Sequence, residues 1–288
     1  MAKKVLITGS EGMLAYDLAR VWGEAGYQVT GLSHAQLDIT QPDKVRQAIE
    51  QLKPNIVFTT PGIGVDTCES EPAKGFHLHT WAAANVARQC EQVGAACVYI
   101  STCGLFGDEV KLYSEYDQVQ LKTQYARSKF MGEEASLQHC SRTFIIRPGW
   151  LFGGTVKHQR NFVSQRYQEA LQKPLLFSAS DKFGCPTFTK DLAAKMKEVV
   201  ESEEYGLYHV TNSGSASRYD YVKCIVESFG LDTAVEPVDS SSFPRSAPIP
   251  DCETLENLNV KFLGLDPMEP WQDAIKRYVD SLKSGLLL

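Results

Sequence analysis

The stretch Val5-Leu6-Ile7-Thr8-Gly9-Ser10-Glu11-Gly12-Met13-Leu14 decides the fold. Its apolar opening is short and β-branched, as expected of a parallel strand buried on both faces. A tight turn follows at once. Gly9 and Gly12 permit backbone angles that a side chain would forbid, so a pyrophosphate can approach the amides at the N-terminus of a helix starting near Gly12. Ser10, Met13 and Leu14 share that cradle. The spacing Thr8-Gly9-x-x-Gly12-x-x-Ala15 differs from G-x-G-x-x-G, with Ala15 where a third glycine would allow the closest helix packing. By itself the stretch also suits an ordinary strand-turn-helix corner.

Outward from it, strand-like runs near 4–8, 27–32, 55–59, 96–101 and 142–147 alternate with helix-period segments near 12–25, 42–52, 77–93 and 124–138. Such alternation predicts an α/β fold with a Rossmann-type, doubly wound parallel sheet. Pro42 after Thr40 reads as the first turn of a helix that Thr40 caps, and Pro54 ends that helix. Past Pro148 the pattern becomes irregular. Helices are expected near 161–171, 189–202, 217–229 and 270–283, a strand near 206–211, an apolar run at Leu175-Leu176-Phe177, a turn over 181–186 and a Ser/Pro-rich loop over 239–251. The expected division is a dinucleotide-binding domain over residues 1–150, with 189–211 returning to its sheet, and a smaller C-terminal lobe over 151–288 that is mainly substrate-binding.

Tyr125 and Lys129 are four residues apart, so on a helix both project from one face. An ammonium beside a phenol favours the phenolate, which predicts a Tyr125 pKa lowered toward the working range of a general acid. Lys129 is also placed to bond a cofactor ribose. Thr102 follows the apolar run Cys97-Val98-Tyr99-Ile100, at the strand edge where open α/β sheets bind ligands, and its hydroxyl can hold a substrate carbonyl. The candidate catalytic set is therefore Thr102, Tyr125 and Lys129, acting with a nicotinamide.

With these motifs in order, the chain resembles the extended short-chain dehydrogenase/reductases, most closely the dTDP-4-dehydrorhamnose reductase family. The likeness spans nearly the whole length and includes Leu37-Asp38-Ile39-Thr40, Val65-Asp66 with Glu69, the segment Arg147 to Gly153, Asn161-Phe162-Val163, Gly184-Cys185-Pro186-Thr187, Asp191-Leu192 and Tyr208 to Asn212. It implies reduction of a 4-keto nucleotide sugar by Thr102, Tyr125 and Lys129, with Trp150 lining the sugar pocket and Cys103 and Asn161 in substrate contact. Asp38 and Ile39 fall where the family touches adenine, although a helix N-cap region explains Asp38 equally well.

The second strand ends at Thr30-Gly31-Leu32-Ser33-His34 without the acid that an NAD-specific chain usually places on the ribose. Ser33 or His34 can bond a 2′-phosphate there, which favours NADPH while admitting NADH. Several family positions are altered. Cys103-Gly104 replaces Asp-Tyr beside Thr102, Thr60-Pro61-Gly62-Ile63 replaces the stretch near the nicotinamide, His79 stands where an Asn is usual, and Ala247 replaces an Arg that helps hold the diphosphate, with Arg245 out of register.

The chain has 288 residues, 43% of them hydrophobic, and a net charge of −6 with no basic stripe, so nucleic acid and anionic membranes are poor partners. No apolar run approaches the ~20 residues that span a bilayer, and Met1-Ala2-Lys3-Lys4 runs straight into the first strand, which together suggest a cytoplasmic protein. The eight cysteines include no C-x-x-C pair, and His77 and His79 make a poor chelate on a helix, so no metal is expected. A keto-sugar reductase is the leading reading. A nucleotide-sugar 4-epimerase and a non-catalytic dinucleotide-binding regulatory subunit stand as alternatives, and the resemblance admits a homodimer.

Overall fold

The structure, a computed structural model, describes residues 2–158 and 161–285. The run at Val5 forms β1 (Lys4–Thr8), followed by α1 (Met13–Glu24), β2 (Gln28–Leu32), α2 (Pro42–Leu52), β3 (Ile56–Thr59), the short helices α3 (Val65–Ser70) and α4 (Pro72–Phe76), a π-helical turn His77–Trp81, α5 (Ala82–Val93), β4 (Ala96–Ile100), α6 (Gln124–His139) and β5 (Thr143–Pro148). Then come β6 (Trp150–Phe152), α7 (Phe162–Ala170), β7 (Leu175–Ala179), β8 (Phe183–Gly184), β9 (Pro186–Phe188), α8 (Thr189–Glu201), β10 (Gly206–Val210), β11 (Ala216–Ser217), α9 (Arg218–Phe229), β12 (Ala234–Val238), β13 (Cys252–Glu253), α10 (Leu258–Phe262) and α11 (Trp271–Lys283).

Six parallel strands form the main sheet in the order β2-β1-β3-β4-β5-β10. The fold is thus the expected α/β, doubly wound type. Side chains alternate across the sheet: Val5 and Ile7 pack with α1 and α8, whereas Leu6 and Val57 pack with α2 and α5. Trp22 on α1 is fully buried and donates its indole N–H to the Ala193 carbonyl of α8 at 3.2 Å. Burying such a large side chain stabilises by about 1.5–3 kcal/mol. β10 adds to the edge of the sheet by pairing with β5, Tyr208 opposite Ile146.

The chain leaves β1 toward β2 and comes back past it to β3, so β1 and β3 flank the topological switch point. Their ends are tied by Thr8 Oγ1 donating to the Phe58 carbonyl at 3.1 Å and Thr60 Oγ1 donating to the Thr8 carbonyl at 2.6 Å. A second apolar cluster gathers α9, α11, β6 and β9 around Phe152, Tyr221, Trp271 and Tyr278.

Some expectations differ from the structure. Thr40 does not cap α2: Gln41 is its N-cap, and Thr40 instead bonds Asp38. The segment expected as one helix over 77–93 begins with the π turn and is preceded by α3 and α4, broken at Pro72. The turn over 181–186 contains β8 and leads into β9. A further strand, β12, pairs in parallel with β7; it is short and largely exposed and holds Pro237, which weakens its strand signal in the sequence.

α6 is seated tightly against the π turn and the sheet. A Cβ on Gly132 would lie 2.1 Å from the His79 carbonyl and 2.3 Å from the Tyr99 hydroxyl, which itself donates to that carbonyl at 2.9 Å. Gly23, in α1, has open space around it. Urea denaturation should therefore find Gly132→Ala less stable by ~1–3 kcal/mol through overpacking. Gly23→Ala should be more stable by ~0.5–1 kcal/mol through helix propensity; equal effects would contradict this account of the joint.

Candidate active site

Tyr125 is placed by the first turn of α6. Thr123 caps that helix, its Oγ1 accepting from the Ala126 amide at 3.0 Å, and Glu69 of α3 accepts from the Gln124 amide at 3.0 Å. These two bonds fix where the phenol stands. The hydroxyl of Thr102, which follows β4, is close enough to pull the phenol's pKa down, and Thr102 Oγ1 accepts from the Gly104 amide at 3.1 Å. The predicted catalytic trio is brought together.

Its electrostatics correct one expectation. Burial pushes the Tyr125 phenol up to about 12, against the pull of the Thr102 bond, with the Glu253 carboxylate adding to the rise. Lys129 does not reverse this. Its ammonium donates to the Ile100 carbonyl and lies 4.4 Å from the centre of the Tyr99 ring. Burial holds Lys129 down to about 7, with Glu133 pulling the other way.

Five buried residues outside the trio brace it. His79 stands edge-on to the Tyr125 ring at 5.4 Å, its Nε2 accepting from the Ile63 amide at 3.2 Å and its Nδ1 2.9 Å from Ser128 Oγ. Burial and the Lys129 charge hold His79 down to about 3, so it is neutral. With Nε2 accepting, Nδ1 carries the proton and donates to Ser128. Ser101 donates to Glu133, which forms a buried bidentate pair with Arg147 at 2.8 and 2.6 Å. This pair locks the end of β4 to β5 and α6.

A cleft of 750 Å³ runs along the switch point. Gly9, Gly12, Met13, Leu14, His34, Asp38, Ile39, Thr60, Pro61, Tyr125 and Lys129 all line it. Ser10 and Ser33 do not. Ser10 packs its Cβ against Gly31, and the Ser33 hydroxyl accepts from the Gln36 amide at 3.4 Å, closing a local turn. For Asp38, burial raises the pKa but bonds from Thr40 and Gln41 outweigh it and hold the carboxyl low. Asp38 therefore both organises its own turn and faces the cleft.

The cleft fits a dinucleotide. Gly9 has φ +72°, and Gly12 caps α1 without any side-chain bond or acidic residue in the first turn, leaving the helix-end amides to a phosphate. Lys74, His77 and Leu78 also line the walls without a recognisable motif in the sequence, and Pro148 and Leu151 come from the Arg147 to Gly153 segment.

A second cavity, of 680 Å³, is lined by residues between Trp150 and Glu253. Trp150 lines it. The ring rests on Gly184, where a Cβ would lie 2.2 Å from it, while its N–H donates to Glu253 at 2.7 Å and the Arg218 guanidinium covers its face at 3.4 Å. Cys103 and Asn161 are corrections. The Cys103 thiol is buried in the apolar cluster and lines neither cavity. Asn161 is fully buried, capping α7 at Ser164 and tying the Gly153 and Thr155 carbonyls at 3.1 and 3.2 Å, so it is a structural clamp. Arg245, judged out of register, does line the cavity and reaches Asp66 of α3 at 2.8 Å, while Ala247 also lines it. Glu133 was findable one turn beyond Lys129, and Arg218 from the capping box Ser217-x-x-Asp220 just after it begins. Glu253, in a two-residue strand, had no such signal.

A glycine turn at a parallel sheet's switch point, with a Tyr-x-x-x-Lys helix and a strand-end threonine beside it, defines the short-chain dehydrogenase/reductase class of Rossmann proteins. Residues 3–284 match the model described as RmlD substrate binding domain, and the chain belongs to that family. It is 33% identical over 98% of its length to the spore coat polysaccharide biosynthesis protein SpsK of Bacillus subtilis, covering 99% of that protein. It is 30% identical to a dTDP-4-dehydrorhamnose reductase of Mycolicibacterium smegmatis, over 96% of this chain and 85% of that one. Among solved structures, a dTDP-4-dehydrorhamnose reductase of Bacillus anthracis in complex with NADP superposes with a TM-score of 0.93 at 28% identity, covering 98% of this chain and 100% of that one.

Lys129 makes the site testable through stability. Its folded pKa of about 7 lies below the ordinary 10.5, so between those values the unfolded chain binds more protons and this residue's contribution to stability rises with pH. Denaturation of the wild type and Lys129→Met from pH 6 to 10 should show the variant relatively most stable near pH 6, the wild type closing the gap above pH 7. A pH-independent difference would contradict the buried ammonium.

Proposed function

We propose that the protein is an NAD(P)H-dependent reductase of a nucleotide-linked keto sugar of the 4-keto-6-deoxy type, with NADPH the preferred reductant. The observation that carries this is the Thr102–Tyr125 hydroxyl pair at the end of β4, with Lys129 behind it on the dinucleotide cleft and the Trp150 cavity alongside. Relatives named for reduction of dTDP-4-dehydrorhamnose, one of them bound to NADP, support the choice of substrate and cofactor.

When bound, the dihydronicotinamide supplies a hydride to the ketone carbon. The Gly9 to Leu14 turn and the first amides of α1 take the pyrophosphate, Asp38 and Ile39 the adenosine end, with His34 nearby for a 2′-phosphate. Lys129 holds ribose hydroxyls. Thr102 donates a hydrogen bond to the ketone oxygen, and Tyr125 gives that oxygen its proton. A phenol raised to about 12 is protonated across the neutral range, as a donor must be. His79 keeps the Tyr125 ring edge-on and holds the Ile63 amide, so it acts on position. Residues 1–150 with 189–211 serve as the cofactor part and the remainder as the substrate lobe, in a cytoplasmic enzyme expected to pair as a homodimer. The altered Cys103-Gly104 leaves the hydroxyl pair intact, so drift to a non-catalytic subunit is disfavoured.

Tyr125→Phe should lower kcat by ~10²- to 10⁴-fold, the usual worth of a positioned acid, while NADPH affinity by fluorescence titration changes little. An unchanged rate would overturn the role of Tyr125.

A further inference from the structure

The substrate cavity holds a carboxylate beside the reacting centre. Glu253 reaches inward from β13, with one oxygen fixed by the Trp150 N–H at 2.7 Å. Its other oxygen lies over Gly104: the point that a Cβ there would occupy is 2.9 Å from Glu253 Oε1 and 3.5 Å from Thr102 Oγ1. Glu253 thus shares one small space with the hydroxyl that meets the ketone. Its charge is felt by Tyr125, Cys103 and Arg218. Among the described residues no hydrogen bond reaches Oε1, and the Arg218 guanidinium, stacked on Trp150 and Phe162, donates none.

Three features keep this carboxylate in place. Gly104 has no side chain to displace it, Trp150 anchors one oxygen, and Trp150 itself is pinned between Gly184 and the Arg218 guanidinium. An ionised carboxylate only accepts hydrogen bonds, so its free oxygen calls for a donor on whatever sits beside Thr102. When a ketone oxygen occupies the Thr102–Tyr125 pair, the groups nearest Glu253 belong to the neighbouring carbon.

Building on the reductase reading, we propose that Glu253 is a specificity-determining residue that accepts a hydrogen bond from a free hydroxyl on the carbon next to the ketone. The site therefore selects α-hydroxy ketones of the sugar type over ketones deoxygenated at that carbon. A site built to bond a hydroxyl discriminates strongly against the analogue without one, because the acceptor that the substrate covers is then left unpaired.

The test compares NADPH-dependent reduction of a nucleotide-linked 4-keto-6-deoxy sugar and of its analogue deoxygenated at the adjacent carbon, by the wild type, Glu253→Gln and Glu253→Asp. The amide oxygen of the first variant still accepts from Trp150, and NADPH affinity, read in the separate cleft, checks the fold. The wild type should prefer the hydroxylated ketone, and Glu253→Gln should lose ~10- to 100-fold in kcat/KM on it alone, mainly through KM. Glu253→Asp, with its charge withdrawn by one methylene, should fall between. Equal losses on both ketones, or discrimination that survives in Glu253→Gln, would overturn the assignment and leave the reductase reading standing. No turnover of either ketone by wild-type protein that binds NADPH would overturn both.

Discussion

Everything at this site depends on keeping one ammonium out of water. Lys129 is almost wholly buried at the end of β4, where desolvation works against its charge. What offsets that cost is local: the Ile100 carbonyl, the face of Tyr99 and the field of Glu133. Each depends on α6 lying close to the sheet, and α6 lies close because Gly132 lets it press on the π turn. The same descent brings Tyr125 to Thr102. One glycine contact therefore links the packing of a helix to the chemistry of two hydroxyls.

The Glu133–Arg147 pair, closed by Ser101, is a second fixed point. A buried ion pair is weak evidence for stability, since dehydrating both partners cancels much of their attraction. Here its effect is positional. It joins the end of β4 to β5 and α6, so Thr102 and Tyr125 cannot drift apart independently. The neutral His79, wedged between Tyr125 and the Ile63 loop, gives the same rigidity from the cleft side. Pre-set hydrogen bonds of this kind let a proton donor work without reorganising at the moment of reaction.

The central sheet and the dinucleotide turn were legible in the sequence because local rules govern them. Short β-branched runs, helix spacing and a glycine with φ +72° leave few alternatives. The trio was legible because one helical turn relates Tyr125 to Lys129. Contacts made across the fold were not. Cys103 and Asn161 stand next to motif residues yet face the core, Ser33 spends its hydroxyl on Gln36, and Arg245 reaches the cavity only through the path of its loop. The Tyr125 pKa was misjudged for a related reason. Spacing placed an ammonium nearby, but burial, a property of the whole fold, outweighed it.

The central claim is that hydride and proton meet at one carbonyl held by Thr102 and Tyr125, between the dinucleotide cleft and the Trp150 cavity. The most direct measurement is reduction of a nucleotide-linked 4-keto-6-deoxy sugar with NADPH deuterated at nicotinamide C4, followed by NMR of the sugar product. Deuterium delivered from one face of the nicotinamide to the former carbonyl carbon, in a single configuration, is the predicted result. Deuterium retained in the cofactor whichever face carries it, or scrambled between two configurations of the product, would contradict the account.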